Sequence, residues 1–326
     1  AGFPPDRVLR STNHDSGNSL LQLNNPEPYE KEFIDHLNGH PAADELVLIN
    51  PLLPVVSGKG SEPPFTTFRS CLEYPKADHV DAGQLGLLYE KHLSGLTDRE
   101  LRSKMEEIIG IVHHSMATGL AGTQYEDRIL QQQSHRIQQA ADEGKIADNP
   151  LINQTIANVT AIMEAKSAME VVVAIPTAGS CGAVGGVLKA LGDELNASAD
   201  DLTDAYFAAG LVGVFFAQGP GFSAEEHGCQ VECGAAAGMA AAGIVQLYGG
   251  SAKQAFDAAS MAIQNMIGLI CDPVADRVEV PCLGKNISAA VNALASATMA
   301  CSGFDAVIPL DEVIRTVSEV SRQMPG

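Results

Sequence analysis

The sequence predicts an all-α fold: a compact bundle of buried Ala- and Gly-rich helices with an irregular N-terminal segment. Three observations lead there. Between residue 149 and the chain end lie five apolar segments built mainly of Ala, Gly and Val, with few charges. Their lengths and glycine-terminated ends suit buried helices better than strands. Only MEVVVAI, residues 169–175, has the β-branched content of a strand, and it is short.

Taken in order, residues 1–75 are rich in Pro, Asn, Asp and Gly, and runs such as PEPYEK and INPLLPVVSGKGSEPPF read as loop or extended chain. The one regular piece expected there is a short polar helix over Glu30–Leu37. From Asp81 to Glu143 the apolar spacing becomes helical. GQLGLLYEKHLSG predicts one helix. TDRELRSKMEEIIGIVHHSMATGL predicts a second, opened by a capping box from Thr97 to Glu100. The His113–His114 pair inside it reads as packing or surface, with metal ligation as the alternative. The five apolar segments follow: MEAKSAMEVVVAIPTAGSCGAVGGVLKALG, DAYFAAGLVGVFFAQ, ECGAAAGMAAAGIVQLYGG, AFDAASMAIQNMIGLI and NISAAVNALASATMACSG. Their small side chains allow helices to approach closely. The division expected is an irregular extension over 1–75 and a helical domain over 76–326.

Bulk properties exclude several functions. With 326 residues, 45% of them hydrophobic, the chain can build a large core. Forty acidic against 20 basic residues give a formal charge of −20, which repels phosphate backbones and anionic membrane surfaces. No apolar run is long enough to cross a bilayer, and AGFPPDRVLRSTNHDSG carries no apolar signal segment. The expectation is a cytoplasmic protein that binds neither nucleic acid nor membrane. Seven cysteines, an odd number in a long chain, argue against a disulfide framework. They leave inert core residues, metal ligands or catalytic thiols.

Three regions carry candidate chemistry. Cys229 lies in EEHGCQVECG, Cys271 follows an apolar run and precedes Asp272–Pro273, and Cys282 follows Pro281. Pro273 and Pro281 frame a short excursion with a thiol at each end. Soft thiolates suit iron–sulfur and zinc sites, but no CxxC is present, and on spacing alone buried inert cysteines are the stronger reading. IPTAGSCGAVGG offers backbone N–H groups at a helix start, where a carboxylate or phosphate would bind. The same glycines also suit a tight helix crossing. Glu225, Glu226 and His227 precede Cys229 as acid, base or substrate ligand, or else form a solvated capping loop.

AIPTAGSCG, SAEEHGCQVECG, GLICDPVADRVEVPCLGKN and FDAVIPLDEVIRTVSEVSRQMP, in that order, resemble the α chain of bacterial iron–sulfur-dependent L-serine dehydratases. The resemblance runs from about Phe65 to the end and is dense from Val171 onward. It implies an all-α catalytic domain with a [4Fe–4S] cluster held by Cys229, Cys271 and Cys282, without pyridoxal phosphate. It implies Thr177, Ala178, Gly179, Ser180 and Asn286 at the substrate, and leaves Lys285, Glu226 and His227 as catalytic candidates. The implied reaction converts L-serine to pyruvate and ammonia, the open iron acting as Lewis acid. A separate β chain and a homo- or hetero-oligomer are further implications, because no Ser-Ser-Ser-His-Thr motif occurs here. This chain departs from the pattern at Gln218–Phe222, at Thr118–Gly122 and at Pro325–Gly326. Two alternatives stay open: a related cluster lyase acting on another β-substituted substrate such as cysteine, and a non-catalytic cluster-binding subunit.

Overall fold

A computed structural model describes residues 8–12, 19–23, 31–41, 62–75, 80–274 and 277–324. The loop run over 49–61 and the chain end at 325–326 lie outside the described residues. The chain divides into two compact units, Ala1–Pro54 and Val55–Gly326.

The described part of the first unit holds an antiparallel hairpin, β1 (Val8–Thr12) and β2 (Ser19–Leu23), with Val8 opposite Leu23 and Thr12 opposite Ser19. It is followed by α1 (Lys31–Asn38), the short helix expected from the sequence. The hairpin stands where loop was expected. VLRST and SLLQL are each five residues long, too short to register as strands against the Pro- and Asn-rich chain around them.

The second unit is helical. It contains α2 (Phe68–Leu72), α3 (Ala82–Ser94), α4 (Asp98–Ala121), α5 (Ser134–Asp142), α6 (Pro150–Ser167) and α7 (Cys181–Leu195). It continues with α8 (Ala199–Ala217), α9 (Ala224–His227), α10 (Cys233–Leu247), α11 (Ala252–Gln264), α12 (Glu279–Cys301) and α13 (Leu310–Ser321). Residues 62–75 belong with these helices rather than with the N-terminal region. Phe65 and Cys71 are buried in the helical core, and the Phe65 ring packs against Tyr74, Tyr89 and Phe215. Asp311 on α13 accepts from the Phe68 and Arg69 amides at 2.9 and 3.1 Å, holding the start of α2.

Local sequence explains the helix ends. Thr97 and Glu100 form the expected capping box on α4, and Ser198–Asp201 and Ser251–Gln254 do the same on α8 and α11. Asn149 caps α6 with Pro150 in its first turn. The start of α5 is held by a fully buried carboxylate: Glu164 on α6 accepts from the Gln133 and Ser134 amides and the Ser134 hydroxyl at 2.6, 3.1 and 2.9 Å. Burial without such partners would be costly.

The central element is α10, buried at every residue from Cys233 to Val245. It packs against α7, α8, α11 and α12. Its run of Ala and Gly explains why so many helices surround one: small side chains bring backbones close enough for van der Waals contact on every face. The same device joins outer pairs. A Cβ on Gly119 of α4 would stand 1.9 Å from the Ala161 carbonyl oxygen of α6. MEVVVAI forms no strand; residues 170–174 connect α6 and α7 without regular secondary structure. Among the described residues no helix is long and apolar enough to cross a membrane.

Candidate active site

The three implicated cysteines sit on three different pieces of the helical unit, and the geometry shows how those pieces meet. Cys229 lies in the turn between α9 and α10. Gly228 before it has φ +76° and ψ 168°, a backbone state reserved for glycine. A Cβ there would stand 2.5 Å from the Leu269 carbonyl oxygen. Gln230 after it is fully buried. Its amide donates to the Leu269 carbonyl at 3.1 Å, and its Oε1 accepts from the Gly268 amide at 2.9 Å. Its Nε2 donates to the His227 and Val317 carbonyls and to Ser321 Oγ at 3.0, 3.3 and 3.0 Å. The G-C-Q triplet is therefore a clamp. It presses the Cys229 turn onto residues 268–270, directly before Cys271, and ties both to α13.

Cys282 lies in the first turn of α12, its amide bonded to the Val278 carbonyl at 2.8 Å. The excursion between Cys271 and Cys282 is closed by a Val274–Arg277 bridge, with N–O distances of 2.7 and 3.0 Å. Lys285, one turn after Cys282, reaches back over this excursion. Its Nζ lies 3.5 Å from Cys229 Sγ, donates to the Ile270 carbonyl at 2.8 Å and pairs with Asp272. One ammonium thus contacts the Cys229 side chain and both residues flanking Cys271.

Electrostatics agree. Burial pushes the Cys229 thiol up to about 12, against the pull of Lys285, and both Cys282 and Cys271 act on its charge. Burial also raises Cys282, where Lys166 pulls the other way and Glu232 and Cys271 push. Burial alone would lower Lys285, but Asp272 and Cys229 outweigh it and hold the ammonium above its usual range. All three cysteines are free thiols, Cys229 and Cys282 buried and Cys271 half-buried. Among the described residues, no three His, Cys, Asp or Glu side chains are grouped to hold a single metal ion.

The glycine-rich loop meets the same place. Asn286 on α12, fully buried, donates through Nδ2 to the Gly179 and Cys282 carbonyls, both at 2.8 Å. Its Oδ1 accepts from the Gly182 and Ala183 amides at 3.1 and 3.2 Å. Two of the N–H groups at the start of α7 that the sequence left open for a ligand are thus already used. Thr177 and Ser180 bond each other at 3.1 Å, and Ala178 is exposed at the loop tip.

Glu226 and His227 lie on α9, just before the Cys229 turn, and the His227 carbonyl accepts from Gln230 Nε2. On α9 they pair with each other at 3.7 Å, with the Glu226 side chain 73% exposed. The carboxylate that does reach the site is one sequence reasoning passed over. Glu232 accepts from Thr177 Oγ1 at 2.6 Å, and burial raises its pKa, with Lys166 and Lys285 among the cations opposing this. Lys166, at the end of α6, was also missed. The available signal was position: Glu232 sits one turn beyond Cys229 in GCQVE. His113 is half-buried on α4 with its pKa lowered, chiefly by burial, and His114 is exposed.

Comparison with known proteins decides the family. The serine dehydratase alpha chain family matches residues 37–326. This chain belongs to that family. It is 33% identical over 261 residues to the probable L-serine dehydratase, alpha chain, of Bacillus subtilis (strain 168), covering 80% of this chain and 87% of the relative. It is also 33% identical over 232 residues to the L-serine dehydratase, alpha chain, of Peptoniphilus asaccharolyticus, covering 71% and 80%. L-serine dehydratase 1 of Escherichia coli (strain K12) is 40% identical over 166 residues, half of this chain and 37% of that protein. The serine dehydratase alpha chain match takes in every site residue described above.

Proposed function

We propose that this chain is the catalytic α chain of an L-serine ammonia-lyase, with Cys229, Cys271 and Cys282 holding a [4Fe–4S] cluster. The observation that carries the reading is the clamp: Gln230 and Lys285 draw three cysteine-bearing segments together and leave their thiols acting on one another's charge. Soft sulfurs, those of Cys229 and Cys282 on buried residues, beside a fixed cation suit an anionic thiolate cluster. The names of the Bacillus and Peptoniphilus relatives support serine as substrate.

When bound, the cluster supplies a Lewis-acidic iron for the substrate's β-hydroxyl. The chain's own residues do the rest. Asn286 fixes the Gly179 carbonyl, and the Thr177–Ser180 bond fixes the loop tip, so that a small amino acid meets a preformed wall. Lys285, held as an ammonium, offsets thiolate charge and is poorly suited to be the base. Glu232 is the carboxylate at the loop. Removal of the α-proton and loss of water yield aminoacrylate, which hydrolyses to pyruvate and ammonia.

The relatives' designation as alpha chains supports a separate partner chain. Exposed Ile270, Val274 and Val280 around Cys271 and Cys282 offer it an apolar rim. The test is substitution. Cys229→Ser, Cys271→Ser and Cys282→Ser are each expected to abolish iron retention and serine turnover, while Cys71→Ser and Cys301→Ser keep both. Full iron content in any of the first three would overturn the ligand set.

A further inference from the structure

Glu232 takes no part in the clamp, yet its carboxylate lies along the glycine-rich loop. A Cβ on Gly179 would stand 2.8 Å from Oε1 and 3.0 Å from Oε2, so only glycine lets both oxygens lie there. Thr177 bonds one of them at 2.6 Å. The side chain is half-buried, and among the described residues it joins no ion pair. Glu225, a like charge, and Lys166 and Lys285, of opposite charge, act on it only at a distance. A desolvated carboxylate with a single neutral hydrogen bond is complementary to a cation. A zwitterionic amino acid brings one such group.

Resting on the serine-lyase reading, we propose that Glu232 binds the substrate's α-ammonium and so selects amino acids over hydroxy acids of the same shape. L-glycerate is the diagnostic analogue, because it keeps the carboxylate and β-hydroxyl of L-serine and replaces the ammonium with a hydroxyl. A site built around a carboxylate discriminates against such a replacement strongly, because the carboxylate loses its charged partner.

The experiment uses the full chain purified anaerobically, with any partner chain it requires. It compares KM for L-serine with the inhibition constant of L-glycerate, in wild type and in Glu232→Gln. The variant is expected to raise KM for serine by about tenfold or more, with kcat changed less and glycerate inhibition held within about twofold. Glu232→Asp is expected to keep the preference for serine. Equal weakening of both ligands would make Glu232 a structural support of the loop and overturn the assignment, as would an unchanged ratio. If Glu232→Gln fails to fold, a wild type that binds L-glycerate as well as L-serine overturns it alone. A wild type without serine turnover sinks the serine-lyase reading, which is a separate result.

Discussion

At the scale of single residues, Gln230 shows how the site is held. Its amide side chain is enclosed and spans residues 227, 268, 317 and 321. Gln230→Leu keeps the volume but leaves the part-buried Gly268 amide without its side-chain acceptor. The expected cost is about 2–3 kcal/mol of stability, since a buried polar group left unpaired costs about 1–3 kcal/mol. Denaturant unfolding checks it, and iron content is expected to fall with it. His113 gives a pH-dependent case. Burial lowers its pKa in the folded chain, so the unfolded state takes up the proton first as pH falls. Its contribution to stability is present above the unfolded value of about 6.5 and is lost as pH drops toward the folded value. His113→Leu is expected to flatten that part of the profile of melting temperature against pH; an unchanged profile would contradict it. At this scale the sequence singles out Cys229, Cys271 and Cys282 only through the motifs around them. Spacing did not separate ligand from inert thiol, because the Cys229 turn meets Lys285 and the segment before Cys271 through contacts that cross 56 and 38 residues. Glu226 and His227, beside Cys229 in sequence, pair with each other on α9, and the Glu226 side chain is exposed.

At the scale of elements, most helices were visible in the apolar spacing and the caps, α3, α4 and α10 among them. What the pattern did not show is which helices touch, because that depends on where backbones approach. Two glycines on α4 test this. Gly110 has nothing within 4 Å of a built Cβ, whereas Gly119 meets the Ala161 carbonyl at 1.9 Å. Gly110→Ala is expected to stabilise by about 0.5–1 kcal/mol through helix propensity. Gly119→Ala, with the same gain in propensity, is expected to destabilise by more than about 3 kcal/mol, because backbone must shift to admit it. Equal effects at the two positions would show that the α4–α6 crossing is not as close as described. The β1–β2 hairpin was missed at this scale, since two five-residue strands carry too little alternation to stand out.

At the scale of the molecule, one buried helix organises the second unit. Around α10 the turn bearing Cys229, the excursion from Cys271 to Cys282 and the Thr177–Ser180 loop all come together. The family relation accounts for why these motifs occur in this order. The packing accounts for why they must: each motif ends or begins a helix that touches α10 or its immediate neighbours. The acidic surface, formal charge −20, is expected to leave the chain without affinity for nucleic acid, and a salt-dependent shift on mixing with DNA would contradict that. The central claim is that three sulfurs hold a cluster whose open iron meets L-serine. Its most direct test is the anaerobic absorption and Mössbauer spectrum of the full chain, with and without L-serine. The expected result is about four irons per chain, with the signal of one iron shifting when serine is added. A colourless protein under strict anaerobiosis, or a cluster whose spectrum ignores serine, would contradict it.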